Sequence, residues 1–222
     1  MTYQNTILGK FIDRPNRFIA HVEIDGRVET VHVKNTGRCR ELLHKGVQVV
    51  LEECHNPNRK TGYDLIAVYK ESLGWVNIDS QVPNKVAGEW LESGNSPFGK
   101  IDFIKPEYVY GNSRIDFYLE CGMRKILIEV KGCTLERNGV GYFPDAPTER
   151  GVKHLKELSK AEGLGFECYI LFVIAMPVVT DVYPETDIHP DFGTALNEAK
   201  AAGVRQINLP CNVTPCEITF RK

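Results

Sequence analysis

The chain has 222 residues, 42% of them hydrophobic and 25% charged, with a formal net charge of −2 at pH 7. That is enough chain to bury a substantial core in one large or two small domains, with the composition of an ordinary soluble protein. No run of eighteen apolar residues exists and the first ten residues lack a signal-peptide apolar stretch, so a cytoplasmic protein without membrane contact is expected; the near-neutral charge excludes the strongly basic footprint of a dedicated nucleic-acid binder, so any nucleic-acid surface is a local patch.

The first eighty residues read as short strands, over 6–11, 18–24, 28–33, 47–53, 64–69 and 74–78, with Asp25-Gly26 marking a hairpin turn. A helix-like insert at 35–44, capped by Asn35 or Thr36 and followed by Gly46, comes after the third strand. Several strands with a short helix in that place resemble the OB-fold. Arg38 and Arg40 sit beside Asn35 in the insert, and Arg14, Arg17, Arg59 and Lys60 lie in loops. Arginine forks match phosphate oxygens, which makes Asn35, Arg38 and Arg40 candidate nucleic-acid contacts, although each residue alone fits solvated charge better. Phe11, Phe18 and Tyr63 offer stacking surface, with core packing the expected role of the two phenylalanines.

A boundary falls at 80–84, dividing an OB-like part, 1–80, from a second part, 81–222. Asn84 caps a helix running to about 93, with Val86, Ala87, Trp90 and Leu91 on one face and Glu89 on its flank. A strand at about 107–110 leads into the stretch around which the second part is organised, Arg114 to Lys131. Ile115, Phe117 and Leu119 alternate with Asp116, Tyr118 and Glu120, and Ile126, Ile128 and Val130 alternate with Leu127, Glu129 and Lys131: period two on both sides of a turn. Gly122-Met123 suits a two-residue type II′ loop. That register sets Asp116 opposite Glu129, with Cβ atoms about 4.5–5.5 Å apart, and two like charges there need an offset. A divalent cation provides one, because hard cations take oxygen ligands. Lys131 lies on the same face as Glu129. The pattern also fits a plain solvated sheet face.

The stretch 132–147 holds three glycines and two prolines and reads as a long functional loop. Thr148 or Asp145 caps a helix over 148–162, with Val152, Leu155 and Leu158 as its apolar stripe and Arg150, Lys153, His154, Lys156 and Lys160 on its other sides. Its N-terminus is a seat for phosphate, and Arg150 and Lys153 are candidate contacts, although a solvated helix exterior explains some of these charges. His154 fits a surface residue or a proton shuttle. Residues 168–175 form an apolar run that reads as a central strand covered on both faces. A helix over 191–202 and a strand over 217–220 follow. The seven cysteines are odd in number and lack Cys-x-x-Cys spacing, which points to free thiols rather than zinc. Cys133 reads as a small, partly buried residue rather than a nucleophile.

From residue 84 the order helix, strand, hairpin, helix, buried strand, with Asp116 and Glu129-x-Lys131 on the hairpin, resembles the PD-(D/E)xK nuclease superfamily and its archaeal Holliday-junction resolvases, although Arg114-Ile115 stands where the motif's proline would. A closer resemblance covers nearly the whole chain. Asn35-Thr-Gly-Arg-Cys-Arg-Glu-Leu-Leu, Arg114-Ile-Asp-Phe, Glu129-Val-Lys-Gly-Cys-Thr-Leu and Phe143-Pro-Asp-Ala-Pro-Thr-Glu-Arg-Gly-Val-Lys-His-Leu look like the sugar fermentation stimulation protein family. The resemblance implies an α/β protein: an OB-like barrel followed by a restriction-endonuclease-like mixed sheet. It implies non-specific DNA binding and a link to maltose and other sugar metabolism.

Resemblance and chemistry together assign Asp116, Glu129 and the Val130 carbonyl to Mg²⁺ or Mn²⁺, and Lys131 to orienting water or neutralising developing charge. By the same resemblance Glu89 completes the acidic shell, as an N-terminal glutamate does in the resolvases. The partner is DNA, bound largely without regard to sequence, and the reading admits a homodimer. Two rivals remain at this point: a DNA-binding regulator whose nuclease-like site is idle, and a carbohydrate-binding module on the barrel.

Overall fold

The computed structural model describes residues 1–35, 37–56 and 58–221; the alternative cap Thr36 lies outside them. Six strands come first: β1 (Thr6–Asn16), β2 (Ile19–Ile24), β3 (Arg27–Val33), β4 (Gln48–Glu53), β5 (Tyr63–Lys70) and β6 (Gly74–Asn77). They run β3-β2-β1-β4-β5-β6, and a parallel β3–β5 pairing at His32↔Asp64 and Val33↔Leu65 closes the first five into an OB barrel. Closure removes the free edges of an open sheet. The β2–β3 hairpin turns at Asp25 and Gly26, whose φ angles of +49° and +77° match a type I′ turn.

β5 explains why its Leu65-Ile-Ala-Val68 run does not alternate. Leu65 and Val68 fill the barrel with Val22, Val31 and Leu51, while Ile66 and Ala67 pack outward, with Val50, into the apolar cluster of the second sheet. Each fully buried aliphatic side chain contributes about 1.5–3 kcal/mol.

The helix expected at 35–44 does not form. Arg14 donates to the carbonyls of Asn35 at 2.6 Å, Gly37 at 2.8 Å and Arg38 at 3.0 Å, and also to that of Arg17 at 2.6 Å. Three of those carbonyls would otherwise carry the helix's own bonds. Cys39 then takes φ +46° and its carbonyl closes a tight turn with the N–H groups of Leu42 and Leu43.

The second half contains α1 (Val82–Glu92), β7 (Phe103–Tyr110), β8 (Ser113–Cys121), β9 (Arg124–Cys133), β10 (Leu135–Arg137), β11 (Val140–Phe143), α2 (Glu149–Glu162), β12 (Glu167–Ile174), β13 (Val182–Pro184), α3 (Pro190–Ala201), β14 (Arg205–Val213) and β15 (Ile218–Phe220). Its main sheet is mixed, ordered β15-β14-β12-β9-β8-β7, with β12 parallel to both β9 and β14. Alternate residues of β12 enter opposite layers. Tyr169, Leu171 and Val173 join the cluster of α1, with Val86, Trp90 and Leu91; Ile170, Phe172 and Ile174 join that of α2 and α3, with Leu155, Leu158 and Phe192. Among the described residues no helix is long and apolar enough to cross a membrane.

Two further expectations change. The stretch after Lys131 is not a loop: β10 and β11 form a hairpin about Asn138-Gly139, with φ +53° and +81°, and β11 pairs in parallel with β13. Strands of three and four residues are too short for alternation to show. Asn84 does not cap α1, which starts two residues earlier with Pro83 in its first turn, after Asp79 Oδ1 accepts from the Gln81 N–H at 3.0 Å.

The close seat of α1 on β9 needs Gly132. A Cβ there would lie 2.7 Å from Pro83 Cγ. Gly132→Ala should push the first turn of α1 off the sheet and destabilise the protein by about 1–3 kcal/mol in urea unfolding, as overpacking does; an unchanged midpoint would mean that the joint has slack.

Candidate active site

The β8–β9 hairpin has the expected turn, with φ +61° at Gly122. Its register, from Cys121↔Arg124 to Phe117↔Ile128, is also the one that the alternation predicts. The ladder stops one pair short of Asp116 and Glu129, so the two do not form a regular cross-strand pair. Asp116 is unpaired on its other side as well: the β7 register passes from Pro106↔Phe117 to Tyr108↔Ile115, and the intervening Glu107 has φ +51°. At this bend the Asp116 side chain takes up the backbone's unused donor. Its Oδ2 accepts from the Val130 N–H at 2.8 Å and its Oδ1 from Asn84 Nδ2 at 2.8 Å.

Glu129 lies on the central strand and is 2% exposed. Its Oε1 accepts from Lys131 Nζ and from His154 Nδ1, while its Oε2 is buried with no hydrogen-bond partner among the described residues. His154, 3% exposed, accepts at Nε2 from Arg150 Nε at 3.4 Å, a pattern that fits the Nδ1–H tautomer. Burial and then the Glu129 charge push the Asp116 carboxyl above its ordinary range. Burial pushes Glu129 up too, but Lys131 and His154 together outweigh it and hold Glu129 below the usual range. The pair therefore splits into a carboxylate anchored as an anion and a neighbour whose charge needs compensation.

A hard cation fits this donor set. The oxygens of Asp116 keep unused lone pairs, Glu129 Oε2 has no partner, and the Val130 carbonyl is part of the same strand. Among the described residues no three or more His, Cys, Asp or Glu side chains converge as a metal cluster, so an ion here would complete its shell with backbone oxygen and water.

The other predicted residues distribute differently. Glu89 is not in the site: its side chain is 48% exposed on α1 and accepts from the Met1 amino group at 2.8 Å. The α1 residue that reaches Asp116 is Asn84, five positions earlier and on another side of the helix. Asn35 is spent internally, donating to the Ile78 carbonyl at 2.9 Å and accepting from the Gly37 N–H at 2.8 Å. Arg59 is bound to Asp64 at 3.0 Å and Arg14 to backbone carbonyls, so neither is a free cation. Arg38 and Arg40 are exposed on the barrel. Arg150 and Lys153 line an open groove of about 570 Å³ that leads to His154 and also takes in Asn112, Ser113 and Arg114; Lys153 Nζ donates to the Asn112 carbonyl at 2.7 Å. Thr148 caps α2 as expected, its hydroxyl accepting from the Gly151 N–H at 3.1 Å. Burial, with the Asp145 charge, pushes the Cys133 thiol up to about 12, which suits a buried structural cysteine.

Sequence reasoning misses Asn84 as a site member, and its reading of His154 as a surface residue or a proton shuttle misses the buried bond to Glu129. His154 had a signal: it falls in the stripe of Gly151, Leu155 and Leu158, all buried at helical spacing.

A closed OB barrel followed by a mixed sheet with Asp116, Glu129 and Lys131 on its central hairpin defines a two-part architecture, and two family profiles match its parts in order. The SfsA N-terminal OB domain covers residues 12–78 and the Sugar fermentation stimulation protein RE domain covers residues 81–217. The chain belongs to the sugar fermentation stimulation protein family. A sugar fermentation stimulation protein homolog of Desulfitobacterium hafniense (strain DSM 10664 / DCB-2) is 55% identical over 214 residues, covering 96% of this chain and 92% of its own. One of Ruminiclostridium cellulolyticum is 53% identical over 222 residues, covering 100% and 97%. The solved structure of Pyrococcus furiosus SfsA in complex with Ca²⁺ superposes with a TM-score of 0.89 at 29% identity, over 100% of this chain and 95% of that one.

The grip on Glu129 is testable by itself. His154→Ala should destabilise the fold by about 1–3 kcal/mol in denaturant unfolding, because a buried carboxylate loses one of two donors. His154→Gln, whose amide can donate to the same oxygen, should recover part of the loss. Equal stability of wild type and His154→Ala would mean that the bond contributes nothing.

Proposed function

We propose that this chain binds DNA and hydrolyses phosphodiesters at the Asp116–Glu129–Lys131 site with Mg²⁺ or Mn²⁺. The observation that carries this reading is the partnerless Oε2 of Glu129, a buried carboxylate oxygen beside a second carboxylate in a strand bend. Asp116, Glu129 and the Val130 carbonyl would hold the ion, which would supply Lewis acidity to the phosphodiester and its attacking water. The Ca²⁺ named with the Pyrococcus furiosus relative supports a hard cation at this fold.

The protein's own groups do the rest. Lys131 keeps Glu129 ionised and brings a positive charge to the place where negative charge develops. His154 fixes the Glu129 carboxylate through Oε1 and leaves Oε2 to face the site. Arg150 and Lys153, in the groove next to His154, hold phosphates of the backbone, and Arg38 and Arg40 hold others on the barrel. Contacts of that kind give salt-sensitive binding that is largely independent of sequence. In this reading residues 1–80 serve binding, and residues 81–222 serve chemistry and the phosphate contacts beside it.

Calorimetric titration of wild type and Asp116→Ala with Mg²⁺ and Mn²⁺, followed by incubation with nicked, branched and single-stranded DNA, tests the reading. Metal uptake by wild type, lost in the variant together with cleavage, is the expected result. No uptake by wild type with DNA binding intact would overturn it and favour a DNA-binding regulator with an idle site.

A further inference from the structure

The barrel carries a basic groove that the hydrolytic site does not use. It has a volume of about 770 Å³ and runs between the β1–β2 turn and the connector after β3. Arg17, Arg38, Arg40 and Lys45 are exposed around it. Its acid, Asp13, is already engaged by His21 Nδ1 at 2.7 Å. Arg14 takes no part as a free cation; by tying down the carbonyls of Asn35, Gly37 and Arg38 it holds the connector in place before any ligand arrives, which lowers the ordering penalty of binding.

Phe18 follows Arg17, which lines the groove. It is 47% exposed, although core packing is the ordinary role of such a residue, and the guanidinium of Arg17 lies 5.0 Å from its ring centroid. Its backbone is fixed by Asn16, whose Oδ1 accepts from the N–H groups of Phe18 at 2.9 Å and Ile19 at 3.1 Å. Cations alone are enough to match a duplex, which presents its phosphates and hides its base faces. An exposed ring beside the guanidinium of Arg17 adds a stacking surface, which serves a strand whose base faces are free.

We infer that this groove takes single-stranded nucleic acid, with phosphates on Arg38, Arg40 and Lys45 and an unpaired base stacked on Phe18 beside Arg17. This rests on the DNA reading above and narrows it to unpaired strands. Fluorescence anisotropy in EDTA, with a labelled oligothymidylate and a duplex of equal length, tests it on the full chain without cleavage. Wild type should prefer the single strand. Phe18→Ala should weaken the oligothymidylate about tenfold, in the range that loss of one stacked base gives, and leave the duplex within about twofold. Phe18→Trp should keep the preference. Arg38→Ala combined with Arg40→Ala should weaken both and lower the single-strand salt slope by about 0.7 per charge removed. Unchanged single-strand affinity in Phe18→Ala, or equal affinity of wild type for the two forms, would overturn the inference while leaving DNA binding in place. No affinity of wild type for either would overturn the DNA reading itself.

Discussion

An ionised carboxylate in the middle of a six-stranded sheet is tolerated only when donors surround it, and Glu129 obliges two elements to supply them. β9 provides Lys131 from the same face, and α2 provides His154, backed by Arg150. β8 contributes the Asp116 carboxylate as neighbour, held in turn by Asn84 of α1 and by the Val130 N–H. Apolar packing attracts a helix to a sheet without a preferred rotation. These polar contacts are directional, so the site that they build also sets how α1 and α2 sit on opposite faces.

The joint between barrel and sheet follows a similar logic. Gly37 lies against the Asp145 carboxylate, with no space between them for a Cβ. The connector that Arg14 braces therefore meets the segment that leads, three residues later, to the cap of α2 at Thr148. The runs 37–43 and 143–155, about a hundred residues apart in sequence, meet through this contact. Their glycine and aspartate serve contact between the halves, whereas the arginines of the same runs stay at the surface.

Strong local periodicity made much of this legible beforehand. The β8–β9 hairpin, its turn and its register follow from alternation about Gly122-Met123, and the apolar run at 168–175 reads as the covered strand that it is. The failures came where distant groups override local preference. The insert at 35–44 has helical sequence signals, but Arg14 captures its carbonyls. Glu89 occupies a plausible place on α1, but the helix begins at Val82 and turns Asn84 towards Asp116 instead. His154 was hidden by its charge type: it sits inside an apolar stripe, and only the buried Glu129 opposite explains a histidine there.

The outward packing of Val50, Ile66 and Ala67 has a consequence for how the molecule comes apart. Barrel residues belong to both apolar clusters, and both clusters also contain residues of the second sheet. The backbone continues the link, since the Asn77 N–H bonds to the Ala175 carbonyl. Two units joined by so much shared interior have little freedom to melt in sequence. Loss of either exposes the other's apolar surface, so unfolding approaches a single cooperative event, and a chain severed near Ser80 would yield two sticky fragments rather than two working modules.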